Sequence, residues 1–580
     1  MNLPRPALVT QEAARRLPRW ALLLLCGVYV LAGYIGREPW KNADIASFGV
    51  MLELLGHTDW PHWLQPTLMG ERADTTALLP YWLGAWAMQV APAWVAPEFA
   101  ARLPFMAMLV GTLVATWYAV YHLARLPGAQ PITLAFGGEA SPPHYAHALA
   151  DGGLLALVAT LGLAQFSHET TPALAQLFFS TLTLYGLAAA SAQPWRAVVV
   201  LMFSLPGLAL SGAPSFALIE GVLIWLGWLA SRRFNKESPT HLSLIVAMAL
   251  LASLVLTAAL STKLGLLRWE FRWPSGRWSE WRGMLKLLVW FLWPASLFAL
   301  WALWQWRRQL AQLWRNPHLG LPALFAAVPL LASIFTSAGD RALLLAIPAL
   351  AILAAFALPT FSRSASALID WFTVLFFTVC MGAIWVIWVS VQTGFPAKPA
   401  SNVARLAPGF APSFGIAAFT IAVLGTLAWV LLARWRTGRH RTALWKSLVL
   451  PASGTALCWL LLGTLWLPAF DYARSFAPQI RQVRQVVGDT PCVEVYGLSS
   501  AQVAAVRFHG GWQPVPASTT PRCTWLLVDV DAQYTLPEAI HPLHWNAQAR
   551  IQRPTDDNES LLIFRRSDAE PAQPTQTGSP

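Results

Sequence analysis

Long apolar stretches recur along most of this 580-residue chain, and they constrain its fold more than any other feature. A helix rises about 1.5 Å per residue, so roughly 17 to 25 apolar residues are needed to cross about 30 Å of hydrocarbon. About thirteen stretches meet this requirement, with centres near residues 28, 113, 157, 181, 204, 222, 251, 295, 328, 350, 381, 424 and 457. The sequence therefore predicts an all-α polytopic membrane domain over residues 1–470.

The number and distribution of charged residues support a membrane protein and predict its orientation in the membrane. Charged residues make up 12% of the chain, about half the share of soluble domains, and the formal net charge is +12. The basic residues concentrate in alternate loops, as the positive-inside bias requires of a chain whose N-terminus is cytoplasmic. This distribution explains the excess charge without nucleic acid, which we do not expect as a partner. An odd number of spans then places the C-terminal portion outside the cytoplasm.

The C-terminal portion, residues 471–566, has the pattern of a small α/β domain. Apolar runs at 493–496, 525–530 and 561–564 predict short strands, and a helix is expected near 500–507. Cys492 and Cys523 lie at the entrances of two of these strands. A disulfide between them would close a loop of about 30 residues and contribute roughly 3–4 kcal/mol; two separate buried thiols are the alternative. The tail, residues 567–580, is too polar and proline-rich to fold and is expected to be disordered.

The first outward loop, residues 37–102, carries the acidic residues Asp44, Glu71 and Asp74. Carboxylates at the edge of a bilayer are typical of chemistry on membrane-bound molecules. Asp44 precedes an amphipathic stretch, so a role as a helix N-cap is the structural alternative. Trp40 and Trp82 flank the acidic residues and are the first candidates for stacking on a sugar ring.

A later outward loop, residues 263–282, is strongly basic against the charge bias. Its arginines are Arg268, Arg272, Arg277 and Arg282. Anchoring to lipid headgroups, together with interfacial tryptophans, is one explanation. Binding of a phosphate by the forked guanidinium donors is the other, and both can hold. Arg341, in an apolar segment, is a further phosphate candidate, with a local pair to Asp340 as the alternative.

The segment from Gly36 to Pro104 resembles a known class of enzymes. GREPWKNAD ending at Asp44, PTLMGERADTTALLPYW ending at Trp82 and EFAARLP ending at Pro104 are similar to the GT-C class of membrane glycosyltransferases. The likeness is to the superfamily of lipid A aminoarabinose transferases and protein O-mannosyltransferases. Because family-like sequence resumes directly behind the first apolar segment, an uncleaved first helix is favoured over a signal peptide.

The resemblance implies thirteen membrane helices, surface helices in the first loop and a soluble C-terminal domain in the periplasm. It also implies inverting transfer of a sugar from a polyprenyl-phosphate donor, at the outer face of a bacterial inner membrane. Three departures leave the sugar and the acceptor open. Ile45 follows Asp44 where an acidic pair is common, Thr75 follows Asp74 where the aminoarabinose transferases have a lysine, and Ser211 replaces a frequent lysine.

Under this hypothesis Asp44 is the general base, and Asp74, favoured over Glu71 by spacing, is the second acidic residue. The loop arginines and Arg341 would stabilise the departing phosphate. The acceptor would be a lipid, such as lipid A, or a glycan, with membrane lipids around the helices. A protein O-glycosyltransferase, a polyprenyl-lipid transporter or flippase, and a noncatalytic scaffold are the alternatives. No cofactor is expected, since His168 and Glu169 alone make a poor metal site.

Overall fold

The computed structural model describes residues 7–72, 76–133, 137–234, 241–267, 272–274, 276–310, 312–336, 339–437 and 443–567. The α-helices are α1 (Arg19–Leu31), α2 (Ala43–Leu55), α3 (Trp60–Leu64), α4 (Leu79–Val90), α5 (Pro97–Ala124), α6 (Pro142–Ala159), α7 (Leu161–Phe166), α8 (Pro172–Ala189), α9 (Pro194–Leu210), α10 (Pro214–Phe234), α11 (His241–Lys263), α12 (Trp278–Phe291), α13 (Ala295–Gln305), α14 (Arg307–Leu310), α15 (Pro317–Phe335), α16 (Gly339–Ala357), α17 (Arg363–Thr393), α18 (Ala397–Leu406), α19 (Ile416–Thr437), α20 (Lys446–Thr464), α21 (Leu467–Arg474), α22 (Ala477–Val487), α23 (Ser500–Gly510) and α24 (Leu536–Ala539). The strands are β1 (Thr67–Leu68), β2 (Glu71–Arg72), β3 (Cys492–Tyr496), β4 (Gln513–Pro516), β5 (Trp525–Asp529), β6 (Trp545–Arg553) and β7 (Asp556–Arg566).

Eight helices in the described part of the chain are long and apolar enough to cross a membrane, namely α5, α8, α11, α15, α16, α17, α19 and α20. The pair α12 and α13, bent by 87°, makes nine if it forms one span, and α1, α9 and the first part of α10 are shorter apolar helices. A chain with these helices is a multi-pass membrane protein. Each predicted centre falls in a helix or at a break between two, but the count of thirteen spans stays a prediction.

By internal packing the chain forms two compact units. The helical unit comprises Met1–Arg37, Thr75–Val389 and Phe414–Leu467, and the mixed unit comprises Glu38–Asp74, Ser390–Ser413 and Pro468–Pro580. The first part of the first loop, which the sequence placed with the membrane domain, therefore packs with the C-terminal segment. The predicted boundary at residue 470 falls within α21.

The helical unit is organised around α16. Its residues from Ala342 to Ala357 are all buried, and α15, α13 and α6 pack against it. A second row is formed by α5, α8, α9 and α11. Small residues allow backbones to meet: a Cβ added at Gly463 of α20 would lie 2.1 Å from the carbonyl oxygen of Ala32, at the end of α1. Packing of this kind is common among membrane helices, where close van der Waals contact replaces the hydrophobic effect.

The mixed unit contains a five-stranded sheet in the order β4-β3-β5-β7-β6. Strand β3 is parallel to β4 and β5, whereas β7 is antiparallel to β5 and β6. Helix α23 connects β3 to β4; Ser499 and Gln502 form a capping box at its start, and Gly511 ends it with φ 73°. The predicted C-terminal α/β domain is confirmed, with β4 and β6 as additional strands. Cys492 and Cys523 are joined by a disulfide, with 5.7 Å between their Cα atoms.

Candidate functional site

Asp44 is held in the first turn of α2 and is almost completely buried, at 1% exposure. The backbone N–H of Trp40 donates a hydrogen bond to its Oδ2 at 3.0 Å. The N-cap position belongs to Asn42, whose φ of 68° turns the chain into the helix. Asp44 therefore lies inside the helix rather than capping it.

Trp40 belongs to a polar network of the mixed unit. Its indole N–H donates to Asp471 Oδ1 at 2.8 Å, and the backbone N–H of Glu38 donates to the same oxygen at 3.3 Å. The guanidinium of Arg474 lies 5.4 Å from the centre of the Trp40 ring. The structure thus joins Trp40 and Asp44 by a hydrogen bond, while their proposed roles stay predictions. It adds Asp471 and Arg474, which sequence reasoning missed because they follow the last apolar stretch without a motif.

The segment after Trp40 is tied to the far end of the chain. The ammonium of Lys41 lies 3.2 Å from Asp556 and 3.6 Å from Glu559, and its backbone N–H donates to the carbonyl oxygen of Arg474 at 2.6 Å. The hydrogen bond from Lys41 keeps the pKa of Asp556 below its ordinary value. These contacts hold the segment that leads into α2 against residues of the C-terminal segment.

Helix α2 is anchored on α23. A Cβ added at Gly49 would lie 2.4 Å from the Cβ of Ala504, so the two helices meet almost backbone to backbone. The rings of Phe48 and Phe508 contact each other edge to face at 4.9 Å. Glu53 and Arg507 form an ion pair. The position of Asp44 is therefore set by residues of the C-terminal segment.

The second acidic candidates are only partly described. Glu71 is exposed in β2, where it pairs with Leu68 of β1. Asp74 lies outside the described residues. The preference for Asp74 over Glu71 therefore stays a prediction.

The cationic candidates belong to the helical unit. Arg272, Arg277 and Arg282 are exposed, and Arg268 lies outside the described residues. The backbone N–H of Arg272 donates to the carbonyl oxygen of Phe335 at 2.9 Å, and its guanidinium lies 3.6 Å from Glu280. These contacts tie this part of the basic loop to the end of α15.

Arg341 and Trp82 are half-buried members of the same unit. Arg341 lies in the first turn of α16, and its backbone N–H donates to Asp340 Oδ1 at 2.9 Å. The observed contact between these neighbours is thus a hydrogen bond from the backbone of Arg341 to the side chain of Asp340. Trp82 lies in α4, with its ring 6.2 Å from that of Trp86.

His168, considered above as a metal ligand, is a core residue. It is fully buried, with Nε2 at 2.9 Å from the carbonyl oxygen of Tyr29 and Nδ1 against that of Ala164. Its ring also fills the space above Gly33, where an added Cβ would lie 2.2 Å away. These contacts show that His168 packs between α1 and the turn after α7, which accounts for its complete burial.

Comparison with known proteins gives the fold. The sequence matches no known family profile and no curated protein. The structure is similar to ArnT from Cupriavidus metallidurans bound to undecaprenyl phosphate, with a TM-score of 0.59 and 15% identity, over 96% of this chain and 100% of that one. The same protein in the apo state matches over 94% of this chain and 97% of that one, again at 0.59 and 15%. The chain therefore has an ArnT-like GT-C fold, which confirms the resemblance noted in the first loop.

Proposed function

We propose that this chain is a membrane glycosyltransferase that transfers a sugar from a polyprenyl-phosphate donor to a lipid or glycan acceptor outside the cytoplasm. The observation that carries the proposal is Asp44, a buried carboxylate oriented by the Trp40 amide at the start of the first-loop helix. The ArnT-like fold supports it, because one of the similar structures holds undecaprenyl phosphate.

The basic and the acidic candidate residues have different proposed roles in the reaction. A polyprenyl phosphate leaves as an anion at neutral pH, so it needs fixed positive charge rather than a proton. Arg268, Arg272, Arg277, Arg282 and Arg341 are the proposed source of that charge. An attacking hydroxyl must lose its proton in the transition state, and Asp44 is the proposed base. Attack from the side opposite the phosphate would invert the sugar carbon.

The first-loop residues complete the proposed site. Trp40 and Trp82 are proposed to pack on the sugar ring, and Asp74 or Glu71 to bind its hydroxyl groups. The periplasmic face of a bacterial inner membrane is the proposed location. A flippase of the same fold would move the lipid without breaking the bond between sugar and phosphate, so detection of a new glycoside decides between the two functions.

The experiment is a transfer assay with purified full-length protein, radiolabelled polyprenyl-phosphate sugars and a bacterial membrane extract as the source of acceptor. We expect Asp44→Asn to lower the transfer rate by about 10²–10⁴-fold, the usual contribution of a general base. Asp489→Asn, which neutralises an exposed carboxylate of the same unit, is the matched control and should retain the wild-type rate. Comparison of the glycolipids of a deletion strain and its parent identifies the acceptor. Absence of turnover with every donor, or full activity of Asp44→Asn, would refute the proposal.

A further inference from the structure

Three side chains that commonly bind transition metals come together just beyond the end of α2. They are His57, Asp59 and His62, and one ligand atom of each lies within 4.8 Å of the others. The two imidazole rings are stacked, with centroids 4.0 Å apart and planes at 3°. Asp59 Oδ1 lies 3.8 Å from His57 Nδ1, while Asp59 Oδ2 contacts His62 Nδ1. Both Nδ1 atoms therefore face one carboxylate.

A second carboxylate lies on the other side of His57. Glu53 Oε1 is 3.7 Å from His57 Nε2, and Glu53 is itself held by its ion pair with Arg507. A metal-binding histidine usually gives its remaining N–H to a carboxylate or carbonyl, which fixes the tautomer and orients the ring. With the proton on Nε2 toward Glu53, Nδ1 of His57 is left as an acceptor on the side of Asp59 Oδ1.

The short segment that carries these residues, from the end of α2 into α3, is also fixed. The indole N–H of Trp63 donates to the carbonyl oxygen of His57 at 3.0 Å, and the Trp63 side chain is buried. The backbone between α2 and α3 is thus closed into a turn, with His57 before it and His62 after it. Such a turn holds the three ligands near one point without a contribution from distant parts of the chain.

We propose that His57, Asp59 and His62 form a binding site for a divalent transition metal of the zinc class. Two imidazole nitrogens and one carboxylate match the ligands of Zn²⁺, whereas Ca²⁺ and Mg²⁺ prefer oxygen throughout. Tetrahedral ligands at about 2.0–2.1 Å from zinc are roughly 3.4 Å apart. Binding one ion requires the two parallel imidazole rings to turn out of their stack so that their in-plane lone pairs converge, and these partly exposed side chains have room to do so. The fourth position is left for water or another ligand.

The role of this site is structural. Asp44 is at the start of α2 and His57 follows its end, and a helix of 13 residues is about 20 Å long. A metal at His57 is therefore too far away to act at Asp44. Its effect is to join the end of α2 to α3, which stabilises the segment that carries the proposed base. The site goes beyond the proposed function and does not depend on it.

The test is Zn²⁺ binding to full-length protein purified without a polyhistidine tag and stripped with a chelator. Competition with a chromophoric chelator gives the number of ions bound and their affinity. We expect one tight Zn²⁺ per chain. Glu53→Gln should weaken it by about 10–100-fold, the usual effect of removing a carboxylate partner of a ligand. Asp59→Asn and His62→Gln, which remove a ligand, should weaken it by more than Glu53→Gln does.

A matched control comes from another pair of close histidines in the same unit. His541 and His544 have ring centroids 4.9 Å apart, and His541→Gln should leave Zn²⁺ binding unchanged. Thermal unfolding of each variant without metal shows whether it is folded, and Co²⁺ bound in place of zinc reports its coordination by visible absorption. The proposal is overturned if the wild type binds no more zinc than His62→Gln, or if His541→Gln weakens binding as much as His62→Gln. Such a result would leave the transfer assay on Asp44→Asn unaffected.

Discussion

Replacing Gly49 by alanine should weaken the contact between α2 and α23. The added Cβ would lie 2.4 Å from the Cβ of Ala504 and 3.2 Å from its Cα. Carbon atoms pack best at about 3.5–4.0 Å, so the helices must separate by roughly 1 Å or more. Overpacking of this kind typically costs about 1–3 kcal/mol. The same cost should appear in the free energy of local opening of α2.

Hydrogen exchange measured by mass spectrometry is the appropriate assay, because it reports each helix separately in the intact membrane protein. Peptides covering 43–55 and 500–510 should exchange about 5–150-fold faster in Gly49→Ala, which corresponds to a loss of about 1–3 kcal/mol. Because Asp44 is carried by α2, a displacement of about 1 Å should also lower the transfer rate on the order of 100-fold, if the proposed function holds.

The double variant gives the decisive comparison. Ala504→Gly removes the opposing methyl group, so the pair Gly49→Ala and Ala504→Gly should recover most of the lost protection. Ala504→Gly alone should cost only about 0.5–1 kcal/mol, the usual effect of glycine in a helix. Gly283→Ala, where an added Cβ meets no atom within 4 Å, controls for the substitution itself. Unchanged exchange in Gly49→Ala, or no rescue by Ala504→Gly, would show that this contact does not position α2.

Three other perturbations have defined outcomes. Burial lowers the pKa of His509 to about 4, so the stability of α23 should be constant above about pH 6.5 and fall by up to roughly 3 kcal/mol between pH 6.5 and 4. Hydrogen exchange of peptide 500–510 should show this fall in stability, and His509→Gln should remove the pH dependence. Glu494→Ala should destabilise the sheet by roughly 2–4 kcal/mol in chemical denaturation, because the buried carboxylate of Glu494 accepts hydrogen bonds from backbone N–H groups, including that of Cys523 at 3.2 Å. An unchanged midpoint of denaturation would contradict this expectation. Gly463→Ala should lower the thermal stability of the purified protein by pushing α20 away from Ala32, whereas an open glycine such as Gly382 should tolerate alanine.

The strands of the C-terminal domain could be predicted from the sequence where several consecutive residues are buried. Strands β3 and β5 and the end of β7 are apolar runs, and each was found close to its predicted position. Strand β4 reads Gln-Pro-Val-Pro at the sheet edge, and β6 is mostly polar because it is the other edge. Edge strands face solvent or lack one partner, so their sequences carry a weaker pattern. Their assignment needs tertiary contacts that no local window contains.

The membrane helices show a similar limit. Thr160 separates α6 from α7, and Leu292–Pro294 separates α12 from α13, although the sequence is apolar on both sides of each break. Hydropathy measures composition along a segment, whereas a bend depends on which backbone groups find partners at the break. The predicted centres therefore identified helices, whereas the number of spans that these helices form stays a prediction.

At the candidate site the sequence did not reveal which residues are in contact, and the roles it suggested stay predictions. Trp40 and Asp44 were selected from one short motif, and the structure joins them by a hydrogen bond. Asp471, which also binds Trp40, is more than 400 positions away, at a separation of 431 residues. The His57, Asp59 and His62 cluster was also missed, although its spacing of two and three residues, from the end of α2 into α3, is a signal that sequence reading could have used.

The long separation between α2 and α23 has a consequence for the biogenesis of the protein. Helix α2 ends at Leu55 and α23 begins at Ser500, so 444 residues lie between them. At about 5–20 residues per second, the ribosome needs roughly 20–90 s to make the second helix after the first. During that interval Phe48 lacks its contact with Phe508, so this part of the α2 surface is uncovered by α23. A polypeptide that terminates early would expose this face permanently, which gives proteolytic quality control a means to distinguish unfinished chains.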